Sequence, residues 1–276
     1  MTTIPQEWTQ GDITVGDVRL HYTRTGGDKP PFVLAHGFSD DGLCWTPVAR
    51  ALQSQFDVVM VDARGHGLSE APEEGYNSPQ MAQDLAGVIT GLGLQSPFIM
   101  GHSMGAATAL TLAGLHPEIP RAILLEDPPA WWKTTNQPAP DRDEWLHRTR
   151  LWINELQTQS RDELIEKQRR ATPSWSQEEI ELWADAHLRL SPNVVSGRGI
   201  RSDWNTQLLQ NITCPTLLLT ADVERGALVS DTDAQELQKF VPQLKVAHIA
   251  GAGHSVHREQ FETFMGAVQT FLQEVG

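Results

Sequence analysis

The chain has 276 residues, 39% of them hydrophobic and 20% charged, a globular balance that excludes an intrinsically disordered chain or a long coiled coil. Acidic residues outnumber basic ones 35 to 21, and the formal net charge of -14 repels nucleic-acid phosphates and anionic lipid head groups, so neither is an expected partner. Cys44 and Cys214 stand alone in apolar surroundings, which excludes a disulfide framework and a thiolate metal site.

No apolar run reaches the roughly 20 residues of a membrane-spanning helix, and Met1 to Gln10 lacks the basic and apolar regions of a secretory signal. A cytoplasmic location is therefore expected. In chain order, Val18–Thr23 reads as an early strand, followed by a buried strand at Phe32–Ala35 and a helix at Trp45–Leu52. A strand at Val58–Val61 precedes a helix at Pro79–Leu92; Phe98–Met100 leads into a helix at Met104–Leu115, and Ala122–Leu125 is the next strand. After an interruption come strand Thr216–Thr220, helix Asp231–Phe240, strand Lys245–Ile249 and helix Glu259–Glu274. Short Val/Ile/Leu runs alternating with amphipathic stretches predict the α/β class, a mostly parallel twisted sheet flanked by helices.

The interruption spans 128–205. It has no convincing strand, but Trp145, Trp152, Leu156, Leu164, Ile165, Ile180, Leu182, Trp183 and Leu188 recur at near-helical spacing among charges. This predicts a helical cap inserted into a core made of 1–127 and 206–276. Pro128 and Pro129 mark its start, because consecutive prolines neither continue a sheet ladder nor enter a helix interior.

The strand Phe98-Ile99-Met100 runs into Gly101-His102-Ser103-Met104-Gly105 and then directly into an alanine-rich helix. A serine on so sharp a strand-to-helix turn is pushed out at the top of the sheet, and only glycines at the flanking positions let strand and helix approach. The helix start favours developing negative charge and places the Met104 N–H to donate to an oxyanion. The pentapeptide by itself arises by chance in roughly one chain in ten of this length, so its setting between strand and helix carries the inference.

Together with His36-Gly37-Phe38, Asp62-Ala63-Arg64-Gly65-His66-Gly67 and Gly251-Ala252-Gly253-His254, this turn resembles the α/β-hydrolase superfamily, motif by motif and in that family's order. The resemblance implies Ser103 as nucleophile and His254 as its base, in the glycine-rich loop before the last helix. It also implies that the Phe38 N–H completes an oxyanion hole with Met104. His257, near the start of a helix, reads as a surface residue. The acid stays open. Asp222 is taken as the acid, being nearest the carboxyl edge of strand Thr216–Thr220; Glu224 fits the family's count from the strand end. A minority of the superfamily places the acid before the cap, where Asp127 stands.

The resemblance implies a cofactor-independent serine hydrolase acting on a small molecule, and the absence of a Cys/His cluster with ligand spacing gives no reason to expect a metal. Seven of nine tryptophans fall in the cap region (Trp131, Trp132, Trp145, Trp152, Trp175, Trp183 and Trp204), and Trp131 and Trp132, just past the prolines, are expected in the substrate pocket. A carboxylic ester or lactone with a hydrophobic or aromatic part is the expected substrate. Dehalogenases and epoxide hydrolases of the family use aspartate where Ser103 stands, and the latter need cap tyrosines, whereas Tyr22 and Tyr76 lie outside the cap. Carbon–carbon bond hydrolases often carry tryptophan after the histidine, where this chain has Ser255; they and cofactor-free perhydrolases remain alternatives. A non-catalytic ligand receptor on the same fold is the alternative of another class.

Overall fold

The computed structural model describes residues 5–132, 142–195 and 206–276. Within them the apolar runs become strands β2 (Val18–Arg24), β3 (Pro31–Ala35), β4 (Asp57–Val61), β5 (Phe98–His102), β6 (Ala122–Glu126), β7 (Thr216–Ala221) and β8 (Leu244–Ile249). An eighth, β1 (Thr9–Val15), precedes them and is absent from the sequence reading. Its residues TQGDITV contain no apolar run, because it is an edge strand whose residues are exposed or half-buried and pair antiparallel with β2 alone.

The sheet order is β1-β2-β4-β3-β5-β6-β7-β8, with β3 to β8 parallel and β1 and β2 antiparallel. Side chains alternate between the two faces, as the two-residue repeat of a strand requires. Val33, Val59, Ile99, Ile123 and Leu218 point into one core with helices α2 (Ser78–Gly91), α3 (Met104–Leu115) and α8 (Asp231–Phe240). Phe32, Leu34, Met60, Met100, Leu124 and Leu219 point into the other, against α1 (Thr46–Leu52) and α10 (Phe261–Val275). Cys44 and Cys214 are buried free thiols.

Between β6 and β7 the described residues form helices α4 (Arg142–Gln157), α5 (Arg161–Ala171), α6 (Gln177–Arg189) and α7 (Thr206–Leu209). Ser160 with Glu163 and Ser176 with Glu179 close capping boxes at the starts of α5 and α6, satisfying N–H groups that a helix otherwise leaves unpaired. Leu156, Leu164, Ile165, Ile180 and Ala184 make a separate small core, with Trp152, Trp175 and Trp183 packed on it. The segments 133–141 and 196–205 of the expected cap, Trp204 included, lie outside the described residues. No helix among the described residues is long and apolar enough to cross a membrane.

The approach of α3 to the sheet depends on two glycines. A Cβ on Gly101 would stand 2.2 Å from the Gly105 carbonyl carbon, and one on Gly105 would stand 2.1 Å from the Ala35 carbonyl oxygen. Both obstacles are backbone and cannot swing aside. Gly105→Ala is therefore expected to cost about 3 kcal/mol, the upper end of overpacking. A urea midpoint within a few tenths molar of wild type would contradict this.

Candidate active site

The site is assembled at the carboxyl ends of β3, β5 and β6 and by the loop after β8. Ser103, between β5 and α3, has φ 50° and ψ -112°, a left-handed conformation in which a non-glycine residue is strained. The turn is held by the Ser103 N–H donating to the Glu126 carbonyl at 2.9 Å and by the tight α3 approach. Ser103 lines a cavity of about 270 Å³ together with Phe38, Met104, Ala107, Pro129 and Trp145, among others. The backbone N–H groups of Phe38 and Met104 have no acceptor among the described residues. Two unpaired donors thus belong to residues on the same cavity as the serine, an arrangement suited to a developing oxyanion.

His254 stands in the loop between β8 and the short helix α9 (Val256–Glu259), its side chain 35% exposed. Its Nδ1–H donates to Asp127 Oδ2 at 2.6 Å, which leaves Nε2 with the free lone pair a general base requires. The loop is pressed against the Ser103 turn. His102, the neighbour of Ser103, donates Nε2–H to the His254 carbonyl at 2.9 Å, and the two imidazoles lie 4.7 Å apart. Burial pulls the His102 imidazole down to about 3, so it stays a neutral donor at any working pH.

Asp127 is fully buried and is the first residue past β6. Its φ of 40° turns the chain sharply, and its carboxylate accepts the N–H groups of Leu228 (2.9 Å) and Val229 (3.0 Å) as well as the His254 imidazole. This corrects the expectation of Asp222 as the acid. Asp222 instead accepts the Gly251 N–H at 2.8 Å and faces His248 Nε2 at 3.0 Å, along the edge of β8. The Gly251 hydrogen bond is the main reason its carboxyl sits below the usual range. Glu224 is exposed in a short turn beyond it.

Two further expectations are corrected. Trp132 is a core residue, 1% exposed, whose indole N–H donates to the Asp233 carbonyl, and Trp131 packs beside it against the same core. Neither lines the cavity; its aromatic walls are Phe38, Tyr76 and Trp145, with His66 beside them. The Tyr76 hydroxyl donates to the Pro72 carbonyl, and burial pushes its phenol up to about 12, so it serves as wall rather than acid. His257, read as a surface residue, is 1% exposed. Its backbone N–H and its Nδ1–H donate to Glu126 Oε1 at 3.0 and 2.8 Å. Consecutive carboxylates at the end of β6 thus hold a histidine of the loop after β8 and one of the helix that follows it.

Burial alone would raise the Glu126 carboxyl, but the His257 charge and hydrogen bonds outweigh it and bring the group from 4.5 down to about 2. A carboxyl lowered in the folded state binds fewer protons there than in the unfolded chain between those two values. Its contribution is complete above about pH 4.5 and is lost as pH falls toward 2. Thermal unfolding followed from pH 6 to pH 2 should show Tm falling across that window. Glu126→Gln should lower Tm at pH 6 and flatten the fall; an unchanged slope would remove Glu126 as its source.

The scaffold around the site uses the remaining motif residues. His36 donates Nδ1–H to the Gly37 carbonyl at 2.7 Å and accepts the Ala63 N–H on Nε2 at 3.0 Å. Asp62 accepts the N–H groups of Gly42 and Leu68, both at 2.7 Å, and Arg64 forms a buried two-point pair with Asp84. These contacts fix the loop carrying Phe38 from behind.

Comparison with known proteins agrees with this fold. Residues 32–267 match the Alpha/beta hydrolase family. N-formylmaleamate deformylase of Pseudomonas putida is 27% identical over 265 residues, 95% of this chain and 96% of that protein. The 2-(acetamidomethylene)succinate hydrolase of Mesorhizobium japonicum is 26% identical over 278 residues, 94% of each chain. A crystal structure of the N-formylmaleamic acid deformylase of Pseudomonas putida S16 superposes with a TM-score of 0.79 at 27% identity, covering 94% of this chain and 100% of that one. With the sheet order, the strained Ser103 turn and a family match across most of its length, the chain belongs to the alpha/beta hydrolase family.

Proposed function

We propose that Ser103, His254 and Asp127 form a nucleophile, base and acid that hydrolyse a neutral carboxylic ester or lactone through an acyl-enzyme. The observation that carries this reading is the 2.6 Å bond from His254 to buried Asp127 in a loop packed on the strained turn of Ser103. Ser103 Oγ attacks the carbonyl carbon while His254 Nε2 takes its proton, and the carbonyl oxygen, now negative, is held by the Phe38 and Met104 N–H groups. His254 then protonates the departing alkoxide, leaving Ser103 acylated. Water, deprotonated by His254, attacks the acyl carbon, and the serine leaves with the returned proton. The products are an acid and an alcohol, or one hydroxy acid from a lactone.

The cavity supports a small neutral substrate. Its volume lies near the lower end for ligand pockets, ~300–1,000 Å³, and its described lining is mainly apolar, with Ser78, Ser103 and His66 but no lysine or arginine. A second reading, cleavage of a carboxylic amide, is favoured by the N-formyl and acetamido groups in the names of the two relatives. Those names also denote carboxylates, for which the described lining offers no cation.

A panel of p-nitrophenyl esters from acetate to octanoate and benzoate, simple lactones and the matching anilides separates the readings. Short and aromatic esters or lactones are expected to give the highest kcat/KM, with carboxylate-bearing analogues lower by tenfold or more, on the order of one lost charge-assisted contact. Faster cleavage of the amides than of esters with the same acyl group would transfer the assignment to amide hydrolysis. A fluorophosphonate probe is expected to label wild type and not Ser103→Ala. An unlabelled wild type would defeat both readings.

A further inference from the structure

Arg258 lies four residues beyond His254, on α9, with its side chain only 3% exposed. Its Nη2–H donates to Asp40 Oδ1 at 2.8 Å, and its guanidinium carbon sits 4.5 Å from the centre of the Trp175 ring. Asp40 stands two residues after Phe38. The Asp40 N–H donates at 3.2 Å to the Gly37 carbonyl, which belongs to the same peptide group as the Phe38 N–H. Trp175 lies in the connection between α5 and α6. One buried cation therefore touches the loop of the base, the loop of an oxyanion donor and the helical insertion. The next residue, Asp41, repeats the pattern toward α6, accepting Arg189 Nη2–H at 2.6 Å.

Stability does not explain the pair. Taking both charges out of water costs several kcal/mol per ion, and well-packed apolar replacements of such pairs are often neutral or better. Satisfaction here is also incomplete, because Arg258 Nε–H has no acceptor among the described residues. What the pair supplies is a direct link between the loop of Phe38 and the helix that follows the loop of His254. Errors of about 1 Å in such alignments can cost ~100-fold in rate.

We propose that Arg258 and Asp40 are positioning residues whose ion pair sets the Phe38 N–H relative to His254, with Trp175 closing over the guanidinium so that alignment requires the α5–α6 segment to be docked. This rests on the reading of Ser103, Phe38 and Met104 as the reaction centre. Because the oxyanion exists only in the transition state, loosening the clamp lowers kcat and spares KM. It also weakens a trifluoromethyl ketone, which forms a tetrahedral adduct, in step with kcat/KM.

The test compares wild type with Arg258→Lys, Asp40→Asn, Trp175→Leu and Arg50→Ala. The last breaks an exposed contact between α1 and Glu178 of α6 and serves as control. For the best ester of the panel, kcat is expected to fall roughly 10- to 100-fold in Arg258→Lys and Asp40→Asn, and about 3- to 10-fold in Trp175→Leu, with KM within about threefold. The inhibition constant of the matching trifluoromethyl ketone should rise in proportion, and Arg50→Ala should match wild type. Should the buried-pair variants fail to fold by near-ultraviolet circular dichroism, Trp175→Leu, at a half-buried position, decides alone. Losses confined to KM, unchanged kcat in folded variants, or a kcat loss without a matching change in ketone affinity overturn the proposal. Fluorophosphonate labelling of wild type keeps the two failures apart: a labelled enzyme with fully active variants sinks the clamp alone, whereas an unlabelled one sinks the reaction centre and the clamp with it.

Discussion

Asp127→Asn is expected to lower kcat by about 10³- to 10⁴-fold with little change in KM, whereas Asp222→Asn should stay within about threefold of wild type. The asymmetry follows from what each carboxylate touches. In the proposed triad Asp127 accepts the Nδ1–H of His254 and so selects the tautomer whose Nε2 can accept from serine; an amide at that position can donate to Nδ1 and favour the wrong tautomer. Asn is the right probe because it tolerates the φ of 40° better than Ala and keeps the volume of a side chain that is 0% exposed. It still offers an oxygen to the Leu228 and Val229 N–H groups, so folding should survive and the loss should fall on the chemical step. Asp222 contacts the Gly251 N–H and His248, not the His254 imidazole. Kinetics on the preferred ester, with Tm measured beside them, check both. Comparable losses in the two variants would remove Asp127 from the role of acid.

Asp222 and Asp127 are alike in sequence, each an aspartate just past an apolar strand. Apolar runs and glycine spacing announce strands and tight turns, because those signals are local: the strand β5, the helix α3 and the Ser103 turn all stand where the residues predict. Choosing among acids is a question about direction. Asp127 and Asp222 both leave the carboxyl edge of a strand, and only the left-handed turn at Asp127 sends its carboxylate to His254. The adjacent Pro128-Pro129 hinted at rigidity there but not at its sense. Burial of His257 was illegible for the same reason, since its partner Glu126 is 131 positions away. Trp131 and Trp132 sit near the mouth in sequence yet face the core. Tyr76, which lines the cavity, comes from a loop with no periodic pattern, and Trp145 belongs to a helical period that announces a helix but not the cavity it lines. The edge strand β1 escaped because exposed residues carry no hydrophobic period.

Replacing the proposed nucleophile should separate chemistry from strain. Ser103→Ala and Ser103→Gly are both expected to lower kcat by roughly 10⁵- to 10⁶-fold, leaving only the catalysis supplied by bound geometry and the oxyanion donors. Their stabilities should differ. Ser103 is held at φ 50° by the Gly101–Gly105 approach and by the bond from its N–H to the Glu126 carbonyl, so the strain comes from the scaffold and not from the hydroxyl. Alanine keeps a Cβ in that conformation and inherits the strain; glycine does not. A left-handed non-glycine residue costs of order 1–3 kcal/mol, partly offset by the greater freedom glycine has when unfolded. Ser103→Gly should therefore be more stable than Ser103→Ala by about 1 kcal/mol, read as a higher urea midpoint at unchanged m-value. An alanine variant as stable as the glycine one would show that the turn stores no strain. Residual activity above about one part in 10³ in either variant would show that another group attacks the substrate, and the proposed chemistry would have to be rebuilt around it.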